Sequence, residues 1–364
     1  MIIDIIAGAR PNFMKIAPII TAIKKVQREN YPIMYRLIHT GQHYDKKMSG
    51  DFFEQLGIPE PDINLGAGGG SQAEQTAAIM IGYERELIKT PVDLVLVVGD
   101  VTSTMACSIV AKKQNIKVAH VEAGIRSFDL AMPEEINRMV TDSITDYFFT
   151  TSEAANQNLR HYGIPDERIF FVGNTMIDTL LNQMPNFEKP DFWDDLQLVS
   201  QQYLVMTLHR PSNVDSPEQL GALLDVLENF SGNMPIIFPV HPRTKSNLEK
   251  FGITLNHVKT VEPLGYLQFN YLVQQSKGVI TDSGGITEET TVMGIPCITL
   301  RNSTERPETC SIGTNVLVGT EAGGLKQHLG YLLSDNWKKG GIPPLWDGMA
   351  ANRIVKNIIE QYNL

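Results

Sequence analysis

The stretch ITDSGGITEET, residues 280–290, places an acid, a serine, two glycines and two glutamates directly after an apolar run. Three chemistries use these residue types. Ser283 can be a nucleophile, a helix cap, or part of a cradle for an anion. A nucleophile elbow has the pattern Gly-x-Ser-x-Gly, which residues 281–285 do not provide. Cap and cradle both remain. Gly284 and Gly285 let a backbone approach a ligand closely, and the first N–H groups of a following helix point outward unpaired. In the cap reading, Glu288 and Glu289 simply favour the helix dipole. In the cradle reading, Glu289, one turn in, is placed to reach a sugar diol.

The N-terminal AGARPNFMK carries one glycine, then Arg10 and Lys15, and lacks the spacing of a dinucleotide loop. Two cations facing a cleft suit a pyrophosphate; two solvated surface cations are the plainer alternative. Arg138 and Arg306 would add positive charge. Asp100, Glu122 and Glu134 each stand at or near an expected strand end. Crowded carboxylates have raised pKa values and can trade protons. Taken singly, Asp100 can cap its helix and Glu134, after Pro133, is a typical first-turn acid. His209 opens HRPSNVDSPEQ, where Ser216, Pro217 and Gln219 read as a capping box. Residues 209–215 are then a loop, with His209 able to reach a phosphate or carry a proton. No His-Glu-x-x-His or Asp-x-Asp pattern occurs, so no metal is expected and no cofactor is demanded.

The elements that must position these groups are short β-rich runs alternating with helical stretches. Strands are expected at 2–6, 35–39, 94–98, 118–121, 147–150 and 169–172, then at 203–208, 236–240, 258–261, 278–281, 297–300 and 315–318. Helices are expected at 102–113, 135–145, 153–162, 217–230 and 266–276. Continuous apolar strands separated by helices mean buried parallel sheets, an α/β fold of two doubly wound domains. The run 184–200, with two prolines and several acids, is the expected join. GAGGGSQ at 66–72 reads as a flexible loop before a helix. Ligands of open parallel sheets bind beyond the carboxyl ends of the strands, so a cleft shared by two such edges is expected.

The 364 residues suit two domains. The formal charge of −10, from 31 basic and 41 acidic residues, disfavours nucleic acid and anionic membrane as partners. The three cysteines, Cys107, Cys297 and Cys310, form no disulfide framework and no Cys-x-x-Cys pair. The N-terminus reads as a strand rather than a signal peptide, and the apolar runs are too short to span a bilayer. A cytoplasmic location is expected.

The pieces GARPNFMKIAP, HTGQHYD, VVGDVTST, HVEAGIRS, PEEINR, GNTMIDTL, TLHRPSN, EPLGY, TDSGGITEE and ERPET, in this order, resemble the non-hydrolysing UDP-N-acetylglucosamine 2-epimerase family over nearly the whole chain. The resemblance implies a glycosyltransferase B type fold of two Rossmann-like domains. The first would comprise residues 1–178 joined by a C-terminal helix, 350–364; the second, 179–349, would hold UDP. It implies inversion at C2 between UDP-GlcNAc and UDP-ManNAc, through elimination of UDP to 2-acetamidoglucal, and supply of cell-surface polysaccharide precursors. By position, Asp100, Glu122, Glu134 and His209 match catalytic residues. Arg10, Lys15, Ser283, Gly284, Gly285 and Arg306 match positions around UDP. Glu289 matches the acid on the ribose, Phe269 an apolar contact near the nucleotide, and Arg138 accompanies Glu134. A UDP-sugar is the implied partner, in a homodimer.

Several members of that family are activated by a second UDP-GlcNAc. Of the positions that hold it, Gln42 and His241 are present, while Asp45 and Glu74 stand where a glutamine and an arginine would be. An acid facing a diphosphate is unfavourable, so activation is expected to be weak, absent or differently built. Related readings are an epimerase of another UDP-2-acetamido sugar, a hydrolysing epimerase, a glycosyltransferase of the same fold, and a UDP-sugar sensor.

Overall fold

The computed structural model describes residues 1–41, 57–232 and 234–364, and for Arg10 and Pro11 the backbone alone. The chain forms two compact units, Met1–Asn182 with Pro344–Leu364, and Gln183–Pro343. The expected division at 178/179 lies inside a helix, and that at 349/350 lies at the start of the last one. The units themselves change over at 182/183 and 343/344.

The first unit runs β1 (Ile2–Ala7), α1 (Arg10–Arg28), β2 (Met34–His39), β3 (Ile63–Asn64), α2 (Gln72–Lys89), β4 (Leu94–Val98), α3 (Thr102–Lys113), β5 (Lys117–Val121), α4 (Pro133–Ile144), β6 (Tyr147–Thr150), α5 (Glu153–His161), β7 (Ile169–Phe171) and α6 (Thr175–Gln183). Its described strands form one sheet in the order β3-β2-β1-β4-β5-β6-β7, every pair parallel. All of β4 is buried, as is β1 beyond Ile2, because helices cover both faces. Tyr83 and Leu87 of α2 and Cys107 of α3 pack with Val95 and Val97 on one face.

The C-terminal helix, Ala350–Tyr362, belongs to this first unit. Asp178 caps it, accepting from the N–H groups of Ala350 (3.1 Å) and Ala351 (2.7 Å). Burial pushes that carboxyl up to about 6, against the pull of these two N–H groups. The Trp346 indole donates to Thr151 O at 3.0 Å. Gly173, at φ +92°, is needed where the returning chain crosses: a Cβ there would stand 2.1 Å from Leu345 O.

The second unit runs β8 (Leu204–Thr207), α7 (Pro211–Val214), α8 (Pro217–Phe230), β9 (Ile236–Pro239), α9 (Pro242–Phe251), β10 (Val258–Val261), α10 (Tyr266–Gln274), β11 (Gly278–Thr281), α11 (Gly284–Met293), β12 (Cys297–Thr299), α12 (Pro307–Ser311), β13 (Asn315–Leu317) and α13 (Ala322–Leu333). Its sheet is again parallel, in the order β10-β9-β8-β11-β12-β13. The 184–200 run lies within this unit as two short 3-10 turns, with Trp193 packed edge-on against Tyr203 and Tyr271. The expected loop 209–215 contains α7, because Pro211 is favoured at a first helical position. Ser216 caps α8 through Gln219 N at 3.2 Å, but the Gln219 side chain donates to Thr320 O instead of completing a capping box.

In both sheets the strand order reverses once, at β1/β4 and at β8/β11. Doubly wound sheets open a crevice at such switch points, beyond the strands' carboxyl ends. Among the described residues no helix is long and apolar enough to cross a membrane. The described cysteines are free thiols, Cys107 and Cys297 buried.

Candidate active site

At the β1/β4 switch of the first unit, Asn12 ties the two strand ends together. Its Oδ1 accepts from Ala9 N (3.1 Å) and its Nδ2 donates to Val98 O (2.9 Å). One turn on, Lys15 Nζ lies 2.6 Å from Glu122 Oε2, both side chains mostly buried. Glu122 sits at φ +69°, a left-handed conformation that costs a non-glycine residue about 1–3 kcal/mol. The pair is packed against Gly99, at φ +68°, where a Cβ would stand 3.1 Å from Lys15 Nζ and 3.6 Å from Glu122 Oε2.

On the next residue, Asp100 does not cap its helix. Its Oδ2 accepts from Arg138 Nε (3.1 Å) and Nη2 (2.6 Å), and its carbonyl accepts from Asn137 Nδ2 at 2.8 Å. Arg138 also pairs with Glu135. Glu135 is buried, and its carboxylate accepts from the N–H groups of Ser127 (2.9 Å) and Phe128 (3.1 Å). Burial alone would push this carboxyl up; those N–H groups and Arg138 outweigh it and hold it below the usual range. Glu134 is exposed on the first turn of α4. Glu135 is not singled out by the sequence; only the helix phase shows that it is the one facing inward. The structure thus brings Lys15, Asp100, Glu122 and Arg138 around Gly99. Arg10 opens α1, and its side chain lies outside the described residues, as does Gln42.

Behind these groups lies a buried layer the sequence reading passed over. His120 Nδ1 is 2.7 Å from Asp142 Oδ1, and Nε2 is 2.8 Å from Gly99 O. Asp142 Oδ2 accepts from Arg126 Nη1 (2.7 Å) and Gly124 N (3.1 Å). Despite burial, His120 and Arg126 keep the Asp142 carboxyl below its ordinary range.

At the β8/β11 switch of the second unit, His209 Nδ1 lies 2.8 Å from Asp282 Oδ1. Asp282 is fully buried and also accepts from the backbone N–H of His209 (3.0 Å) and Arg210 (2.9 Å). Burial would raise its carboxyl; His209 and these N–H groups hold it low. Asp282 stands inside the TDSGG motif, yet only the fold shows that it reaches the strand carrying His209. His209, half-exposed, turns its Nε2 edge outward into a pocket of about 240 Å³ shared with Ser283, Phe269, Ile286 and His241. The His209 and His241 rings are 6.3 Å apart. His241 Nδ1 accepts from Arg243 N at 3.3 Å, capping α9. Burial, with His209 and Arg243 beside it, keeps the His241 ring below its ordinary pKa, a neutral donor through Nε2. A larger groove, about 500 Å³, lies between α9 and the edge strand β10; it contains none of the candidate residues.

Ser283 is the N-cap of α11 by position, but its side chain caps nothing, which removes the cap reading of that hydroxyl. A Cβ on Gly285 would meet nothing within 4 Å, and one on Gly284 would meet only Arg301 and Glu305, so the N-terminus of α11 is open to a ligand. Arg306 is ion-paired to the buried Glu288, and Arg301 to Glu305 at 2.7 Å. Arg301, unremarked in the sequence reading, is therefore nearer this helix start than its spacing suggested. Glu289 is buried beside Tyr266 and Asn270, and its Oε1 has no hydrogen-bond partner. Burial and the neighbouring Glu288 push its carboxyl up to about 7, against the pull of Tyr266 and Asn270. An orphaned carboxyl oxygen of this kind is suited to a hydroxyl-bearing ligand. Among the described residues no group of three or more His, Cys, Asp or Glu is placed to hold a metal.

The sequence model of a family described as UDP-N-acetylglucosamine 2-epimerase matches residues 24–359. A Methanocaldococcus jannaschii protein named UDP-N-acetylglucosamine 2-epimerase is 40% identical over 371 aligned residues, covering 98% of each chain. A Pseudomonas aeruginosa protein named UDP-2,3-diacetamido-2,3-dideoxy-D-glucuronate 2-epimerase is 37% identical over 359, covering 96% of this chain and 97% of that one. The crystal structure of the Methanocaldococcus jannaschii UDP-GlcNAc 2-epimerase in complex with UDP-GlcNAc and UDP matches with a TM-score of 0.87 at 40% identity, covering 99% of this chain and 100% of that chain.

Proposed function

Because the chain belongs to the UDP-N-acetylglucosamine 2-epimerase family and is an isomerase, we propose that it interconverts UDP-GlcNAc and UDP-ManNAc by elimination and re-addition of UDP, without hydrolysis. The C2 proton of the sugar has no carbonyl beside it and resists direct abstraction. Breaking the C1–O bond first gives C1 oxocarbenium character and makes C2–H acidic. A carboxylate then removes the proton to leave 2-acetamidoglucal. Protonation on the opposite face and return of the diphosphate to C1 give the epimer.

This path requires cations for the departing diphosphate and carboxyl groups for the proton. The observation that carries the reading is the pair of ion pairs flanking Gly99, Lys15–Glu122 and Arg138–Asp100. Asp100 and Glu122 are assigned the proton transfers, with Glu134 as a further candidate acid. His209 presents Nε2 toward the diphosphate. Ser283, Gly284 and Gly285 offer the open start of α11 to phosphate oxygens, Glu289 takes the ribose hydroxyls, and Phe269 is an apolar contact near the nucleotide. Lys15, Arg10 and Arg306 supply positive charge. The enzyme acts in the cytoplasm as a homodimer, feeding polysaccharide synthesis.

Incubation with UDP-GlcNAc alone, followed by proton and phosphorus NMR, tests this. Two UDP-sugars at equilibrium are expected. Accumulation of free UDP with ManNAc would mean a hydrolysing enzyme. A second reading, a UDP-2,3-diacetamido sugar uronate as substrate, is favoured by the Pseudomonas aeruginosa relative; turnover of that sugar with none of UDP-GlcNAc would establish it.

A further inference from the structure

His120 is fully buried, and both its ring nitrogens face groups that can only accept. Gly99 O is a carbonyl, 2.8 Å from Nε2. Asp142 Oδ1, 2.7 Å from Nδ1, belongs to a carboxylate that already takes Arg126 and Gly124 N–H on its other oxygen. A neutral imidazole has one donor and would set one nitrogen lone pair against an acceptor's, which buried polar groups avoid. The local charge points the same way. The charged groups gathered here are Asp142, Glu135 and Arg138 from α4, Arg126 and Glu122 from the segment after β5, Lys15 from α1, and Asp100 after β4. Among the described residues these are three cations and four carboxylates, so the described surroundings are not net positive.

We infer that His120 carries a proton on each ring nitrogen and is a positioning residue for the reaction, holding the Gly99 peptide that separates the Lys15–Glu122 and Arg138–Asp100 pairs. It does not touch substrate. Its hydrogen bond fixes the Gly99 carbonyl, and hence the backbone from which Asp100 projects. Its charge keeps the neighbouring carboxylates ionised when an anionic substrate adds negative charge nearby. Without that charge one of the carboxylates would take up a proton, and the base would be lost.

Neutron diffraction of the wild-type enzyme at pH 7.5 tests the charge directly. Protons on both ring nitrogens of His120 are expected; a proton on one nitrogen only would overturn the inference. The kinetic half rests on the proposed roles of Asp100 and Glu122, whereas the neutron result does not. His120→Gln keeps an N–H for Gly99 O but removes the charge. We expect kcat to fall roughly 100-fold, KM to change less than about threefold, and the acid limb of the kcat profile to move to higher pH. Wild-type kcat and an unmoved limb in a folded His120→Gln enzyme would refute the positioning role.

Discussion

His209 Nδ1 and Asp282 Oδ1 stand 2.8 Å apart, the aspartate fully buried and the histidine half-exposed. The buried partner fixes the ring's tautomer and aims Nε2 into the pocket that Ser283 and Phe269 share. Asp282→Asn should preserve the fold's hydrogen bonds to His209 N and Arg210 N while releasing the ring. A kcat loss of roughly 100-fold with little change in KM is expected. An unchanged kcat by steady-state assay would remove His209 from the chemistry.

Gly99 is required by φ +68° and by the 3.1 Å from its absent Cβ to Lys15 Nζ. Gly99→Ala should cost about 1–2 kcal/mol of stability from the left-handed backbone alone. It should also lower kcat by more than that stability loss explains, because Lys15 Nζ must give way by a few tenths of an ångström beside Glu122. Chemical denaturation and initial rates on the same sample separate the two effects.

Glu289 gives a pH signature. Its carboxyl is raised to about 7 from 4.5 by burial, so ionisation is harder in the folded protein than in the unfolded chain. Its stabilising contribution is fully present below pH 4.5 and is lost as pH rises through 7. Glu289→Gln, which cannot ionise, should be more stable than wild type at pH 8, by up to about 3 kcal/mol. The advantage should vanish near pH 4.5. Thermal denaturation at both pH values checks the sign.

Much of this was legible from the chain. Apolar runs such as LVLVV fall on β4, and His209, Ser283, Asp100 and Glu122 all follow strand ends, where a doubly wound sheet presents ligand groups. Less legible were contacts that depend on strand order. Asp282 reaches His209 only because β11 lies beside β8, and His120 reaches Gly99 only because β5 lies beside β4. Neither adjacency is written in residue spacing. That Glu135 is buried and Glu134 exposed follows from helix phase at the first turn, where periodicity has too few residues to speak. Pairing of Arg306 with Glu288 links residues 18 apart across the end of α11 and β12, which no motif announces.

Glu74 bears on activation. It closes the capping box of α2, accepting from Ser71 N at 2.8 Å, and those hydrogen bonds hold its carboxyl below its ordinary range. We propose that this anion disfavours a second nucleotide diphosphate there; Asp45, the other differing position, lies outside the described residues. Progress curves from UDP-ManNAc alone should be linear from the start. A lag abolished by trace UDP-GlcNAc would show that a second nucleotide does activate the enzyme.

The central claim, that carboxyl groups of the first unit move the C2 proton of a UDP-sugar, is tested most directly by incubation with UDP-GlcNAc in D2O. Deuterium should appear at C2 of both UDP-GlcNAc and UDP-ManNAc, and Asp100→Asn should abolish it while leaving UDP binding within a fewfold of wild type. Epimer formed without deuterium at C2, or near-normal exchange by Asp100→Asn, would contradict the account.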